Sequence, residues 1–327
     1  MTHQTMLNKV ILPINNQYQI DINYFRPYKH SNLFNEEGYF KLHSSNSNDQ
    51  YIQLVRIASG KVYATITFYQ DGESVFISPK RGTFGGIVFN EPVDMALLEQ
   101  FICTIKAYLI TIGAQVISIK CPPFSHDVAQ SSVMTNILLR HKFKLLGHEL
   151  NYEITIDERL FSDRIDYGND KRIRKCLRDG LFAEQVDLAS YPSVYQVIKE
   201  NRARRGFPLS MTLEQLGKMV ETFPDKMHLF AVYQDDKKTV MLAGAVCIAV
   251  TQSILYVLYW GDVAGAESYS PIVLLAANIY AFCQIEGFKV LDAGISTVSS
   301  EPNYGLVKFK RNLGFSESLK LSFVWEK

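Results

Sequence analysis

Paired cysteines are missing from this chain. Cys103, Cys121, Cys176, Cys247 and Cys283 are odd in number, show no CxxC spacing and lie mostly in apolar segments. That excludes a disulfide framework and a cysteine-based zinc site, and it suits reduced thiols in a cytosol. The seven histidines are scattered, and the nearest pair, His141 and His148, has no cysteine at ligand spacing, so no metal is expected. An excess of charge is missing too. The 34 Lys and Arg against 33 Asp and Glu leave a net +1, too little to coat nucleic acid by overall field, and no DNA partner is expected. The opening stretch MTHQTMLNKVILPINN lacks a long apolar run, so no secretory leader and a cytoplasmic location are expected.

One apolar stretch is long. Residues 239–261 carry no charge, enough to span a bilayer by length alone. Thr251-Gln252-Ser253 interrupts it, and the flanks TVMLAGAVCIAV and ILYVLYW are strand formers. Two buried strands joined by a polar turn are therefore predicted, with no transmembrane segment.

The 327 residues, 47% apolar with 20 Phe and 18 Tyr, are enough for two cores. The C-terminal half has the order α-α-β-β-β-α-β-α-β. Helices are predicted at 191–204, with Pro192 in the first turn, and at about 212–222. Three strands follow, HLFAVYQ, VMLAGAVCIAV and ILYVLYW, joined by turns short enough to force antiparallel neighbours. Pro271 opens the helix PIVLLAANIYAFCQIEG, which stops at Gly287. The strand FKVLDAG, the helix YGLVKFKRNLG and the strand FSESLKLSFVW close the chain. The N-terminal half repeats the later part of this order, with strands VYATITFYQ and SVFISP, a helix near 93–111, strand AQVISIKC, a helix near 128–141 and strand FKLLGHELNYEITI. IGAQVISIK parallels EGFKVLDAG, and HKFKLLGHELNYEI parallels LGFSESLKLSFVW, at nearly equal intervals, which points to duplication. The polar stretch 157–168 marks the join, giving domains 1–160 and 161–327.

This order resembles the GNAT acyltransferase fold, and its doubling resembles the Fem-type transferases and their acyl-CoA-using relatives. Three stretches carry the resemblance: KRIRKCLRDGL (171–181), SPKRGTFGG (78–86) and DAGISTVSSEPNYGLVKFKRNLGF (292–315). It implies an α/β (α+β, mixed-sheet) chain of two GNAT-like domains, the first shaping the acceptor cleft and the second binding the acyl donor. Two features depart from the family. No long charged helical hairpin of the tRNA-using Fem proteins is present, and GDVAGAESYSP (261–271) stands where ordinary GNAT enzymes carry an Arg/Gln-x-x-Gly-x-Gly/Ala phosphate loop.

Acyl transfer to an amine needs a phosphate-binding element, donors aimed at the carbonyl oxygen and a proton route. By position in the GNAT order, Leu258, Tyr259, Trp260 and Gly261 would face the donor. Gly265, Ser268, Tyr269 and Ser270 would lead into the helix whose N-terminus meets the pyrophosphate. The plainer reading is an ordinary loop with an N-cap serine. Eleven of the 34 Lys and Arg cluster in three runs: Lys171, Arg172, Arg174, Lys175 and Arg178; Arg202, Arg204 and Arg205; Lys308, Lys310 and Arg311. Such runs are usually solvated helix faces, yet Arg202, Arg204 and Arg205 in a helix-ending loop suit a phosphate, with Lys308 as a further contact. The Fem resemblance implies that Lys310, in the Phe309-Lys310 pair, lies at the reaction centre, where a cation steadies an oxyanion; the alternative is a surface lysine. Tyr304 could supply a phenol nearby, or pack in the core. Asp292 could take the amine proton, or cap a turn; Asp262 and Glu301 are weaker versions of the same idea. Cys247 and Cys283, without adjacent histidines, are read as inert. Lys80, Arg81, Gly85 and Gly86 could meet an acceptor anion, or merely turn the chain.

The expected function is transfer of an acyl group from acyl-CoA, held only transiently, to an amine of a small-molecule or cell-envelope acceptor by direct attack. The alternatives are an aminoacyl-tRNA-dependent transferase and a catalytically silent binding protein of the same fold.

Overall fold

The computed structural model describes residues 7–28 and 32–327; residues 1–6, the start of the stretch read for a leader, lie outside them. The chain divides into two compact units, Met1–Glu149 with Leu319–Lys327, and Leu150–Ser318.

The first unit begins with strands absent from the sequence reading, β1 (Val10–Pro13), β2 (Tyr18–Ile22) and, after helix α1 (Glu37–His43), β3 (Gln50–Arg56). Then come β4 (Val62–Gln70), β5 (Val75–Ser78), the short β6 (Val88–Phe89), α2 (Met95–Thr111), β7 (Val116–Pro123), α3 (Val128–Arg140) and β8 (Lys144–Thr155). Asp94 starts α2 by accepting from the Ala96 and Leu97 amides, and Asp127 does the same for α3 through Gln130. Strands β1 to β5 form an antiparallel run, β7 lies parallel to β5, and residues 320–326 pair antiparallel with β7. Alternate residues of β4 divide the faces. Ala64, Ile66 and Phe68 join the apolar core beside Phe101, Ile105 and Leu138, while Thr65, Thr67 and Tyr69 occupy the opposite face, where Tyr69 packs with Phe40 and Tyr51.

The second unit holds α4 (Tyr167–Arg178), β9 (Phe182–Val186), α5 (Tyr191–Arg204), α6 (Leu213–Thr222), β10 (Met227–Tyr233), β11 (Met241–Thr251), β12 (Ile254–Asp262), α7 (Pro271–Glu286) and β13 (Val290–Ile295). A small hairpin, β14 (Thr297–Val298) with β15 (Glu301–Pro302), precedes α8 (Tyr304–Asn312) and the closing strand β16 (Ser316–Glu326). The strand order is β8-β13-β12-β11-β10-β9, antiparallel except for β12 beside β13. The uncharged stretch is the β11–β12 hairpin, as its polar interruption predicts, and no helix among the described residues is long and apolar enough to cross a membrane. A Thr212–Gln215 capping box starts α6, Pro271 opens α7, and Gly287, at φ +78°, ends it.

The units divide the chain differently from a single join at 160/161. Residues 151–155 of β8 pair with β13 of the second unit, and residues 320–326 of β16 pair with β7 of the first. A strand belongs to the sheet that satisfies its amides, and polarity along the chain does not announce which sheet that is.

Candidate active site

The site is built where β12 and β13 part. They pair in parallel only over Ile254–Val290, Leu255–Leu291 and Tyr256–Asp292. Beyond Tyr256 both strands continue, β12 to Asp262 and β13 to Ile295, without pairing to each other. The same stretch of β12 carries a bulge against β11, since Val257 faces Cys247 and Tyr259 faces Val246, leaving Leu258 as the extra residue. A bulge breaks the ladder and turns backbone groups out of it, which is why bulges recur beside reaction centres.

Loop 263–270 leads from β12 to α7. Gly265 turns at φ +84° into open space, while Ser268 is exposed and Tyr269 half-buried. Ser270, expected as an N-cap, sits at φ +54° and ψ +54°, and its hydroxyl reaches back to the Glu267 carbonyl without capping the helix. A left-handed serine costs roughly 1 kcal/mol or more and persists where its surroundings hold it, often at ligand sites. Helix α4 does that holding: Lys175 Nζ donates to the Ser268 carbonyl at 2.9 Å, and Cys176 Sγ to the Tyr269 carbonyl at 2.9 Å.

Around the end of β13 the polar groups converge. Lys310 is 2% exposed, not the surface lysine that an amphipathic helix allows. Its Nζ donates to the Gly294 carbonyl at 2.8 Å and the Ile295 carbonyl at 2.9 Å, 5.4 Å from the centre of the Tyr152 ring. Burial brings its pKa down to about 7, against the opposing pull of Asp292 and Glu153. Asp292 is fully buried, and its Oδ1 accepts from the Gly294 amide at 2.7 Å and from Asn151 Nδ2 at 2.9 Å. It therefore caps the strand end while lying beside the lysine. Asn151 Nδ2 also reaches Glu153 Oε2 at 3.1 Å. Neither Asn151 nor Glu153 was expected from sequence. Alternation in LNYEIT, which puts 151 and 153 on one face and Tyr152 and Ile154 on the other, is the signal that could have found them.

Other expected residues lie elsewhere. Tyr304 is 78% exposed. Six positions from Lys310 on one helix is 240° of rotation, so neither a shared site nor a place in the core results. Lys308 is exposed. Glu301 lies in the β14–β15 hairpin. Gly261 does permit a close approach, but to α5: a Cβ there would come 2.8 Å from Asn201 Cβ. Arg204, expected on a phosphate, pairs with the buried Asp262 at 2.9 Å, and Arg205 stands 3.9 Å from the same carboxylate. Asn201 Nδ2 bonds to that carboxylate as well. Asp262 is thus a structural anchor between β12 and α5. Arg202 lies over the Phe207 and Tyr259 rings, each 5.9 Å away. Tyr259 is buried and bonds to Ser210, while Trp260 packs on the α7 side beside Phe309 and Phe315. Burial pushes the Cys247 and Cys283 thiols well up, in keeping with inert residues.

In the first unit, the backbone donors of Gly85 and Gly86 are already used, by the Lys120 carbonyl at 2.7 Å and Ser78 Oγ at 3.1 Å. A Cβ on Gly85 would lie 2.7 Å from Pro79 N, so these glycines serve packing and are not open to an anion. Lys80 donates to Ser45 Oγ at 2.9 Å, and Arg81 is exposed.

No protein-family model and no curated protein sequence matches the chain. Solved structures do. FemX aligns over 92% of this chain and 93% of its own, with a TM-score of 0.70 at 15% identity. L-PGS from Bacillus licheniformis aligns over 85% and 84%, at 0.52 and 11%. A tandem GNAT protein from the clavulanic acid biosynthesis pathway aligns over 88% and 86%, at 0.51 and 8%. The chain has a Fem-like tandem GNAT fold.

Proposed function

We propose that the chain is an N-acyltransferase whose second unit binds the acyl donor in the notch between β12 and β13. The observation that carries this reading is the parting of two parallel strands after Tyr256 and Asp292, with a bulge at Leu258 and a basic, buried lysine at the notch's edge. In this reading the donor's acyl carbonyl meets backbone groups freed near Leu258, and its phosphates meet the start of α7, where unpaired amides and the helix dipole favour an anion. Exposed basic residues Lys171, Arg172, Arg174 and Arg178 of α4, the helix fastened to that loop, add positive charge. The acceptor amine attacks the carbonyl directly. The C–N bond forms as the bond to the donor's leaving atom breaks, and the amine's surplus proton leaves by way of the Lys310–Asp292 group.

Acyl-CoA is the proposed donor, and a small-molecule or cell-envelope amine the acceptor. The pair α5 and α6 in the second unit is short, with 14 and 10 residues, and is not the long charged hairpin expected of a tRNA-using chain. Aminoacyl-tRNA is the second reading, favoured by the near full-length likeness to FemX.

Thermal melting with coenzyme A, acetyl-CoA, a long-chain acyl-CoA and an aminoacyl-tRNA, at low and moderate salt, tests the donor. A ligand at about a hundred times its Kd adds roughly 2.7 kcal/mol of stability. A raised Tm with one acyl-CoA supports the first reading, and a salt-sensitive rise with tRNA alone replaces it with the second. No rise with any of them overturns both.

A further inference from the structure

Behind Lys310 lies a polar group of residues that the acyl-transfer reading does not itself require. On β8, Asn151 is fully buried and Glu153 7% exposed; on β13, Asp292 is fully buried. One side-chain amide serves both carboxylates, with Asn151 Nδ2 at 3.1 Å from Glu153 Oε2 and 2.9 Å from Asp292 Oδ1. Ser318 Oγ, at 3.4 Å, also reaches Glu153 Oε2. Two carboxylates buried this close repel each other unless shared donors and a nearby cation hold them. The amide supplies the donors, and Lys310, when it carries its proton, is the cation held at the same strand end by the Gly294 and Ile295 carbonyls. On the same strand end, Asn151 Oδ1 and Ser296 Oγ are buried without a hydrogen-bond partner.

We propose that Glu153 and Asn151 are positioning residues for Lys310. Asn151 ties Glu153 to Asp292 in one buried anionic node, and that node holds the charge on Lys310 and its grip on the end of β13. This role rests on the acyl-transfer reading for its use, but not for its existence. Around the lysine, Arg311 is paired with Glu317 at the surface, Tyr152 presents its ring, and the Tyr256 hydroxyl lies against Gly294. The node's two carboxylates therefore decide how readily Lys310 keeps or gives up its proton, and with it whether the notch edge is cationic or neutral at physiological pH.

The test is a pH titration of lysine-Cε-labelled protein by NMR, with the Lys310 signal assigned through Lys310→Arg. In the unsubstituted protein, the Lys310 midpoint should lie well below that of the exposed lysines. Glu153→Gln removes one facing anion and should move it further down, by about one pH unit, the scale on which a single near charge acts on a buried group. Asn151→Ala leaves the carboxylates without their shared donor, favours proton uptake by one of them and should move the midpoint in the same direction. Glu153→Gln with Asn151→Ala should shift it less than the sum of the two, since both act through one node. An unmoved Lys310 midpoint in folded Glu153→Gln overturns the proposal, even if Tm falls. If Asn151→Ala does not fold, Asp292→Asn replaces it, with the same downward shift expected and an unmoved midpoint equally fatal. No substrate enters this measurement, so a shifted midpoint without any transfer of acyl groups would sink the functional reading alone and leave the positioning role standing.

Discussion

Lys310 ties the burial of one side chain to the pH dependence of stability. Burial lowers its pKa from 10.5 to about 7, so near neutral pH the unfolded chain holds a proton that the folded chain partly releases. Folding then gains stability as pH rises from about 7 towards 10.5 and loses that gain as pH falls back across the same window, with a slope of at most about 1.4 kcal/mol per pH unit and none below about 7. Urea midpoints of the unsubstituted protein should climb over that window, and Lys310→Met should flatten the climb. An identical pH profile in the two proteins would contradict the burial. Gly261 makes a second residue-level prediction. Gly261→Ala forces a Cβ to within 2.8 Å of Asn201 Cβ and should cost about 1–3 kcal/mol of stability in chemical denaturation.

At the scale of elements, β12 ties the β12–β13 notch to α5. Asp262 ends the strand and holds Asn201 and Arg204, so an arginine that the sequence suggests for a phosphate is spent on a buried carboxylate. Arg204→Ala should destabilise the second unit by about 1.5–3 kcal/mol by removing the nearer of the two guanidinium groups beside that carboxylate, and Arg202→Ala should cost less, since Arg202 touches no carboxylate among the described residues; calorimetry of the two variants checks this. The start of α7 gives the converse test. Ser270→Gly relieves a left-handed conformation and should raise Tm, a gain of roughly 0.5–1 kcal/mol, whereas Ser270→Val should lower it.

At the scale of the molecule, the chain's end is part of its first core. Leu321, Phe323 and Trp325 sit in that core, and residues 320–326 pair with β7. Truncation after Ser318 should therefore cost the first unit its amide protection in hydrogen exchange around β5 and β7, while α7 and β12 keep theirs. Equal loss in both units would show that they do not unfold separately.

Much of this was legible in the sequence because its signals are local. Pro271 and Gly287 bound α7, the charge-free run split by Thr251-Gln252-Ser253 is a hairpin, and alternation separates the faces of β4. Those local signals, taken in order, carried the chain to a tandem GNAT-like fold. Of the three strands before Val62, β2 and β3 escaped because polar residues on their second face, Asp21 and Gln53 among them, break the apolar pattern and are satisfied only inside the fold, while β1 is a four-residue run too short to show alternation. Where side chains meet was not legible at all. Whether Lys310 is solvated or buried, whether Arg204 meets a ligand or Asp262, and whether Asn151 joins Glu153 to Asp292 depend on residues brought together from 16, 58 and 141 positions apart. The sequence by itself determined the elements and their order, since propensity, capping and periodicity act within a few residues. Only the tertiary structure decided which polar groups are buried and whom they pair with, since desolvation and hydrogen bonding are settled by neighbours in space.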